Sequence, residues 1–152
     1  MASIPARGPL TDFMVDQLRA GELLVGKALA PDEGGWDDDP EAVGSTFYGY
    51  IVVTPSTAQE GSGSLADAGI EWALPYVLAS YGIDLTSVEG QADTARKIVS
   101  EIKRVHVDLD GVGWKVIDIK VNSIGGVDVD RTAKPNELSQ KDVVIVRISK
   151  EL

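Results

Sequence analysis

Residues 70–105 read IEWALPYVLASYGIDLTSVEGQADTARKIVSEIKRV. Two periodicities meet in this stretch. Ile70 to Tyr81 is a long apolar and aromatic run of strand type, and Pro75 inside it predicts a sheet edge or a bulge, because proline has no N–H for a ladder. From Thr86 the pattern changes. Val88, Ala92, Ala95, Val99, Ile102 and His106 recur at steps of four and three, which places them on one face of a helix over 86–105. Thr86 with Glu89 fits a capping box at its start. A strand running into a helix with no regular strand–helix–strand alternation around it sets the fold class.

Working outward, Phe47 to Thr54 (FYGYIVVT) is rich in aromatic and β-branched residues and predicts a strand, ended by Pro55. Upstream, Leu10, Phe13, Met14 and Leu18 share a helical face over 10–20, with Pro9 at its start and Gly21 at its stop. Leu23 to Leu29 predicts a first strand. Downstream, Asp110-Gly111 is a turn signal between the second helix and a strand over Trp114 to Val121. In that strand Ile117, Ile119 and Val121 are expected on one face, and Val116, Asp118 and Lys120 on the other. Val143 to Ile148 (VVIVRI) reads as a buried final strand. The order α-β-β-β-α-β-β predicts an α+β class: one domain over 1–152, a mainly antiparallel sheet with two helices packed on it. Long loops are expected near 30–46, 55–69 and 123–142.

Composition narrows the function. A chain of 152 residues buries about 68–70% of its unfolded surface, so a core forms without staples. There is no cysteine, which removes disulfides and thiolate chemistry, and a single histidine excludes a multi-histidine metal site within one protomer. The net charge of −10 disfavours a dedicated nucleic-acid binder. The N-terminus does not read as a signal peptide, and no apolar run approaches the ~20 residues of a membrane span. A soluble protein, made in the cytoplasm and with no membrane partner, is the expectation.

Chemical motifs are sparse. Gly61-Ser62-Gly63-Ser64-Leu65-Ala66 matches G-x-G-x-x-A, but a spacer from Pro55 separates it from the strand and no helix clearly follows. A mobile loop tip is the preferred reading, and a small-ligand or nucleotide site is kept as an alternative. Asp37, Asp38 and Asp39 lie in a loop with two prolines and two glycines between Ala30 and Glu41. Contiguous aspartates diverge rather than converge on a cation, so a solvated acidic loop is expected. Trp36 beside them either tucks onto the core or reaches a partner. Asp108-x-Asp110-Gly111 lacks the rest of a calcium loop. His106 has no G-x-S-x-G nucleophile to serve and is expected to complement the C-terminal dipole of the second helix. Arg96, Lys97, Lys103 and Arg104 share that helix with Glu89, Asp93 and Glu101, which predicts a mixed face or a subunit contact. No catalytic constellation, cofactor or metal is expected, and the profile is that of an assembly protein.

A residue pattern runs through this order of elements. It comprises the N-terminal helix, Tyr48-Gly49-Tyr50-Ile51-Val52-Val53 with Pro55 behind it, Gly61-Ser62-Gly63-Ser64, Asp67, and the strand Trp72 to Gly82 with Tyr76, Ser80 and Gly82. It closes on Ala92, Asp93 and Arg96 in the helix. This pattern resembles the tail terminator, or tail-completion, proteins of long-tailed bacteriophages. The resemblance covers roughly residues 8 to 105 plus the two final strands, and departs at the acidic insertion around Asp37 and at Ser123 to Asp142. It implies a homo-oligomeric ring, typically of six copies, at the head–tail junction of a virion assembled in the bacterial cytoplasm. Such a ring stops tube polymerisation and meets the tail tube protein on one side and a head-completion or connector protein on the other, while DNA passes through without specific binding. Another neck component, a head-completion or stopper protein, is the nearest alternative. The interface residues expected for such a role are Glu60, Ser62, Ser64, Asp67, Pro75, Arg96, Lys97, Lys103 and Arg104, with Asp37, Asp38 and Asp39 on an acidic lumen or loop surface.

Overall fold

The computed structural model describes residues 4–23, 25–27, 49–56, 59–60, 71–82, 84–131 and 137–151. The elements are α1 (Arg7–Ala20), β1 (Val25–Lys27), β2 (Gly49–Pro55), β3 (Gln59–Glu60), β4 (Glu71–Gly82), α2 (Leu85–Ser100), β5 (Lys103–Leu109), β6 (Val112–Ser123), β7 (Val127–Asp130) and β8 (Glu137–Lys150). The fold is α+β with a mainly antiparallel sheet and two helices, and the seven expected elements occur in the expected order. Strands β3, β5 and β7 are additional. The sheet path is β1-β2-β4-β8-β6-β5, with β3 beside β4 and β7 beside β8; among the described residues only the β1–β2 pair is parallel.

The sheet is curled. Five strand spacings put the edges of a flat sheet about 24 Å apart, and a helix of the length of α1 spans about 21 Å. Yet α1 packs on β1 and β2 at one edge and on β5 at the other, while α2 lies over β4, β8 and β6 in the trough. Leu10, Met14, Val15 and Leu18 of α1 and Val88, Ala92, Ala95 and Val99 of α2 face inward. They meet Ile51, Val53, Leu74, Tyr76, Leu78, Val144, Val146 and Ile148 from the sheet. Gly21 follows α1 where the helices approach closely: a Cβ on it would stand 2.3 Å from Ile98 Cδ1, the tip of a side chain that can turn aside. The left-handed residue after α1 is Glu22, at φ 65°.

Several expectations change in the structure. The second helix stops at Ser100, not Val105. Residues 103–109 alternate with period two, with Val107 and Leu109 buried, and they form β5 of a hairpin with β6. The helical spacing of His106 to Ile102 is coincidental. Asp110-Gly111 is accordingly a turn between two strands: both residues have positive φ, 61° and 83°, as a two-residue type I′ turn requires. Asp108 Oδ1 accepts from Gly111 N at 2.7 Å. The N-cap of α2 is Asp84, whose carboxylate accepts from Ser87 N at 2.8 Å, in place of the Thr86–Glu89 box. Ser87 Oγ also donates to Asp84 Oδ2 at 2.8 Å, and the two bonds hold the Asp84 carboxyl below its usual range.

Faces also shift within β6. Trp114 and Val116 face the core before a register shift at Ile117, and Ile119 faces it afterwards. A bulge adds one residue and flips the alternation, so Ile117 and Ile119 do not share a face. Part of the 123–142 segment expected as a loop is β7 and the first residues of β8, paired over Val127–Asp130 and Glu137–Gln140.

Pro75 does not mark a sheet edge. β4 is interior, between β2 and β8. In an antiparallel pair a residue's N–H and C=O point to the same neighbour. Ser56 N donates to Pro75 O at 2.9 Å, and the return bond from Pro75 cannot form. Arg7 takes its place: Nη1 donates to Ser56 O and Nη2 to Pro75 O, each at 2.7 Å. The guanidinium lies 4.7 Å from the Tyr76 ring centre, and Tyr76 OH is 3.0 Å from Thr11 Oγ1. One side chain thus repairs the ladder and ties α1 to the central strand. Arg7→Ala is expected to lower stability by about 2 kcal/mol in chemical denaturation. Arg7→Lys, with no planar fork, is expected to recover only part of that loss.

Candidate functional site

The basic side chains expected along one helix separate in the structure. Lys97 is exposed on the last turn of α2, and Lys103 and Arg104 are exposed on β5, where Arg104 has φ 56°. Arg96 is turned inward. Its Nη1 bonds Asp142 Oδ2 and its Nη2 bonds Asp93 Oδ1. Asp142 is 1% exposed, so Arg96 is held by a buried partner rather than offered to a neighbour.

Asp142 organises that end of the trough. Its Oδ1 accepts from Gly125 N at 3.0 Å and from Gln140 Nε2 at 3.1 Å. One carboxylate therefore joins α2, β8 and the bend between β6 and β7. A buried charge with both oxygens occupied is tolerated where an unpaired one is not. Gly125 is required at the bend: a Cβ there would lie 2.2 Å from Lys141 O. Sequence reading passed over Asp142; its trace is an acid placed directly before the apolar run Val143 to Ile148.

On the outer face, Arg147 forms a fork with Asp118, Nε to Oδ1 and Nη2 to Oδ2 at 2.7 Å each. That hydrogen bonding, with the adjacent positive charge, holds the Asp118 carboxyl below the usual carboxylate range and raises Arg147 in return. His106 is not at a helix terminus. It stands exposed on β5, with Nδ1 against Glu151 Oε1. Beside it Lys115, Ser149, Lys150 and Glu151 line a shallow, open depression. This geometry has no enclosed substrate pocket around His106. Among the described residues no cluster of three or more His, Asp or Glu is placed to hold a metal, and no helix is long and apolar enough to cross a membrane.

Of the other expected interface residues, Pro75 sits half-buried inside the sheet. Glu60 pairs through the backbone of β3 with Trp72. Ser62, Ser64 and Asp67, the whole Gly61–Ala66 motif, Trp36, and Asp37, Asp38 and Asp39 lie outside the described residues. What the described residues present is a braced body whose polar groups are spent on internal links, with sheet edges and a dispersed basic surface exposed.

No protein-family profile matches the chain, and no curated protein matches it. Among solved structures, it is similar to a chain from the virion of a native gene transfer agent particle, with a TM-score of 0.59 and 13% identity. That match covers 97% of this chain and 99% of the other. A second solved chain aligns with a TM-score of 0.50 and 12% identity over 96% of this chain and 93% of its own. At these identities the likeness is one of fold.

Asp142→Ala leaves Gly125 N and Gln140 without an acceptor and is expected to lower stability by about 3 kcal/mol, with Asp142→Asn losing less. A carboxyl with a depressed folded pKa stabilises above its unfolded value and loses that contribution as pH falls through the folded one. Asp118 therefore adds to the loss of stability below about pH 4. Asp118→Asn is expected to flatten the curve of denaturation midpoint against pH in that range.

Proposed function

We propose that this chain is a structural, non-enzymatic virion protein that forms a ring, of six copies as the resemblance to tail terminators implies, on the head-proximal end of a phage tail tube. The observation that carries this reading is the correspondence of the whole fold, nearly end to end in both chains, with a component of a gene transfer agent virion. The residue pattern resembling tail terminators points to the same class. The ring ends tube growth and presents a surface to the connector on the head side.

The physics of the body supports an assembly role. A closed ring of identical copies repeats one heterologous contact, so each protomer needs two unlike surfaces and a body that does not deform between them. The α1 closure of the trough and the Arg96–Asp142 link between helix and sheet supply the stiffness. Exposed Lys97 on the last turn of α2, and Lys103 and Arg104 at the start of β5, offer basic contact points on a chain with ten more acids than bases. Six copies at −10 each carry about −60, a charge that lets DNA slide through a bore without adhering.

Negative-stain imaging of the purified chain, alone and mixed with tail tubes, tests this. A uniform annulus, or a cap on one tube end only, is expected. Tubes left bare at both ends, with the chain gaining thermal stability from a nucleotide instead, would replace this reading with a ligand-binding one.

A further inference from the structure

We propose that the open sheet edge made by the second half of β6 and by β7 docks against the same edge of a second copy of this chain, antiparallel and related by a two-fold axis. β5 pairs with β6 only as far as Lys103 and Asp118. Beyond that point, among the described residues, no strand lies beside Ile119–Ser123 or Val127–Asp130 on the side away from β8. At the opposite end of the sheet, the carbonyl of Val25 in β1 is capped by Arg19, whose Nε and Nη2 donate at 3.1 and 2.8 Å. Open edges invite strand addition, and proteins ordinarily blunt them.

This edge carries exposed apolar side chains among its polar ones. Val121 (36%), Ile124 (61%) and Val129 (44%) are three of the six exposed large hydrophobic residues among those described, gathered in one short stretch. It is also a built edge. The hydrogen bond from Gly125 N to buried Asp142, and the close passage of Gly125 over Lys141, hold β6 and β7 against one partner strand across the bend.

The choice of a second copy rests on self-complementarity. Val121 and Val129 pair with Val144 and Leu138, on the helix-side face of the sheet. Lys120 and Asp130 pair with Ile145 and Glu137, on the outer face. An antiparallel two-fold pairing that sets Val121 against Val129 of the second copy also sets Lys120 against Asp130 of that copy, with Asp128 on the diagonal. The bend at 124–126 lies at the axis. Apolar side chains meet on one face and opposite charges on the other, and symmetry makes each contact twice. A chain of net charge −10 repels itself in general, so a self-contact needs local opposite charges of this kind. A two-fold contact closes at two copies, so it is separate from a ring contact.

Sedimentation equilibrium of the full chain over a concentration series tests the proposal. A monomer–dimer equilibrium is expected. Lys120→Asp alone and Asp130→Lys alone should each weaken the dimer about tenfold, and the two together should restore it to within about threefold. The single reversals move net charge in opposite directions, so a general charge effect does not weaken both. Val121→Ser should weaken the dimer without charge change, and circular dichroism of each variant verifies its fold. A chain that stays monomeric throughout, a dimer indifferent to both reversals, or a ring assembling with no dimer would overturn the proposal. The last result would leave the ring reading intact.

Discussion

Strands β4 and β8 are hydrogen-bonded along twelve consecutive residue pairs, from Glu71 with Ser149 to Gly82 with Leu138, and the rest of the body hangs from that ladder. β2 adds to its one side and carries β1. β6 and β7 add in succession to its other side and carry β5. α2 lies along the trough above it. A ladder of that length twists and coils, which brings the two edges of the sheet within reach of one short helix. The weak point of β4 is Pro75, on its side facing β2, and Arg7 both stands in for the missing donor and attaches α1. Closure of the trough and repair of its central strand are therefore one event, made by one guanidinium.

The interior is apolar over most of its length and polar at one end. There Asp142, Gln140 and Arg96 meet beneath α2. A buried ion pair of this kind adds little net stability compared with an apolar replacement, because both charges are desolvated. Its physical effect is geometric. Only one placement of α2, of β8 and of the β6–β7 bend satisfies Arg96, Gly125 N and Gln140 together. In the ring proposed above such angles would matter, since a small error per subunit accumulates around the circle.

Chemistry and shape are divided accordingly. Among the described residues, the ionisable groups with perturbed titration, Asp84, Asp118 and Arg147, are a helix cap and a cross-strand fork; they brace elements and do not converge on a cleft. His106, the only imidazole, sits on an open strand surface against Glu151. Among the described residues, the outside of the body is exposed polar surface and sheet edges.

Period and turn chemistry were readable in the residues alone. β2 and β4 show in their β-branched and aromatic runs, α2 in its four–three stripe up to Val99, and the tight turn in Asp110-Gly111. These are local signals, set by backbone sterics and by which side chains avoid water. The helical spacing overran into β5 because His106 continued the stripe by chance, while the alternation of Val105, Val107 and Leu109 marked a strand. The bulge at Ile117 left no mark in composition, since one added residue alters pairing and not content. Arg96 was visible as a charge, but its partner lies 46 positions away. Whether such a charge faces a neighbour or a buried aspartate is decided by packing. Pro75 reads as an edge residue by its missing donor; only the fold could bring a guanidinium from residue 7 to stand in for it, because that substitution exists in space and not along the chain.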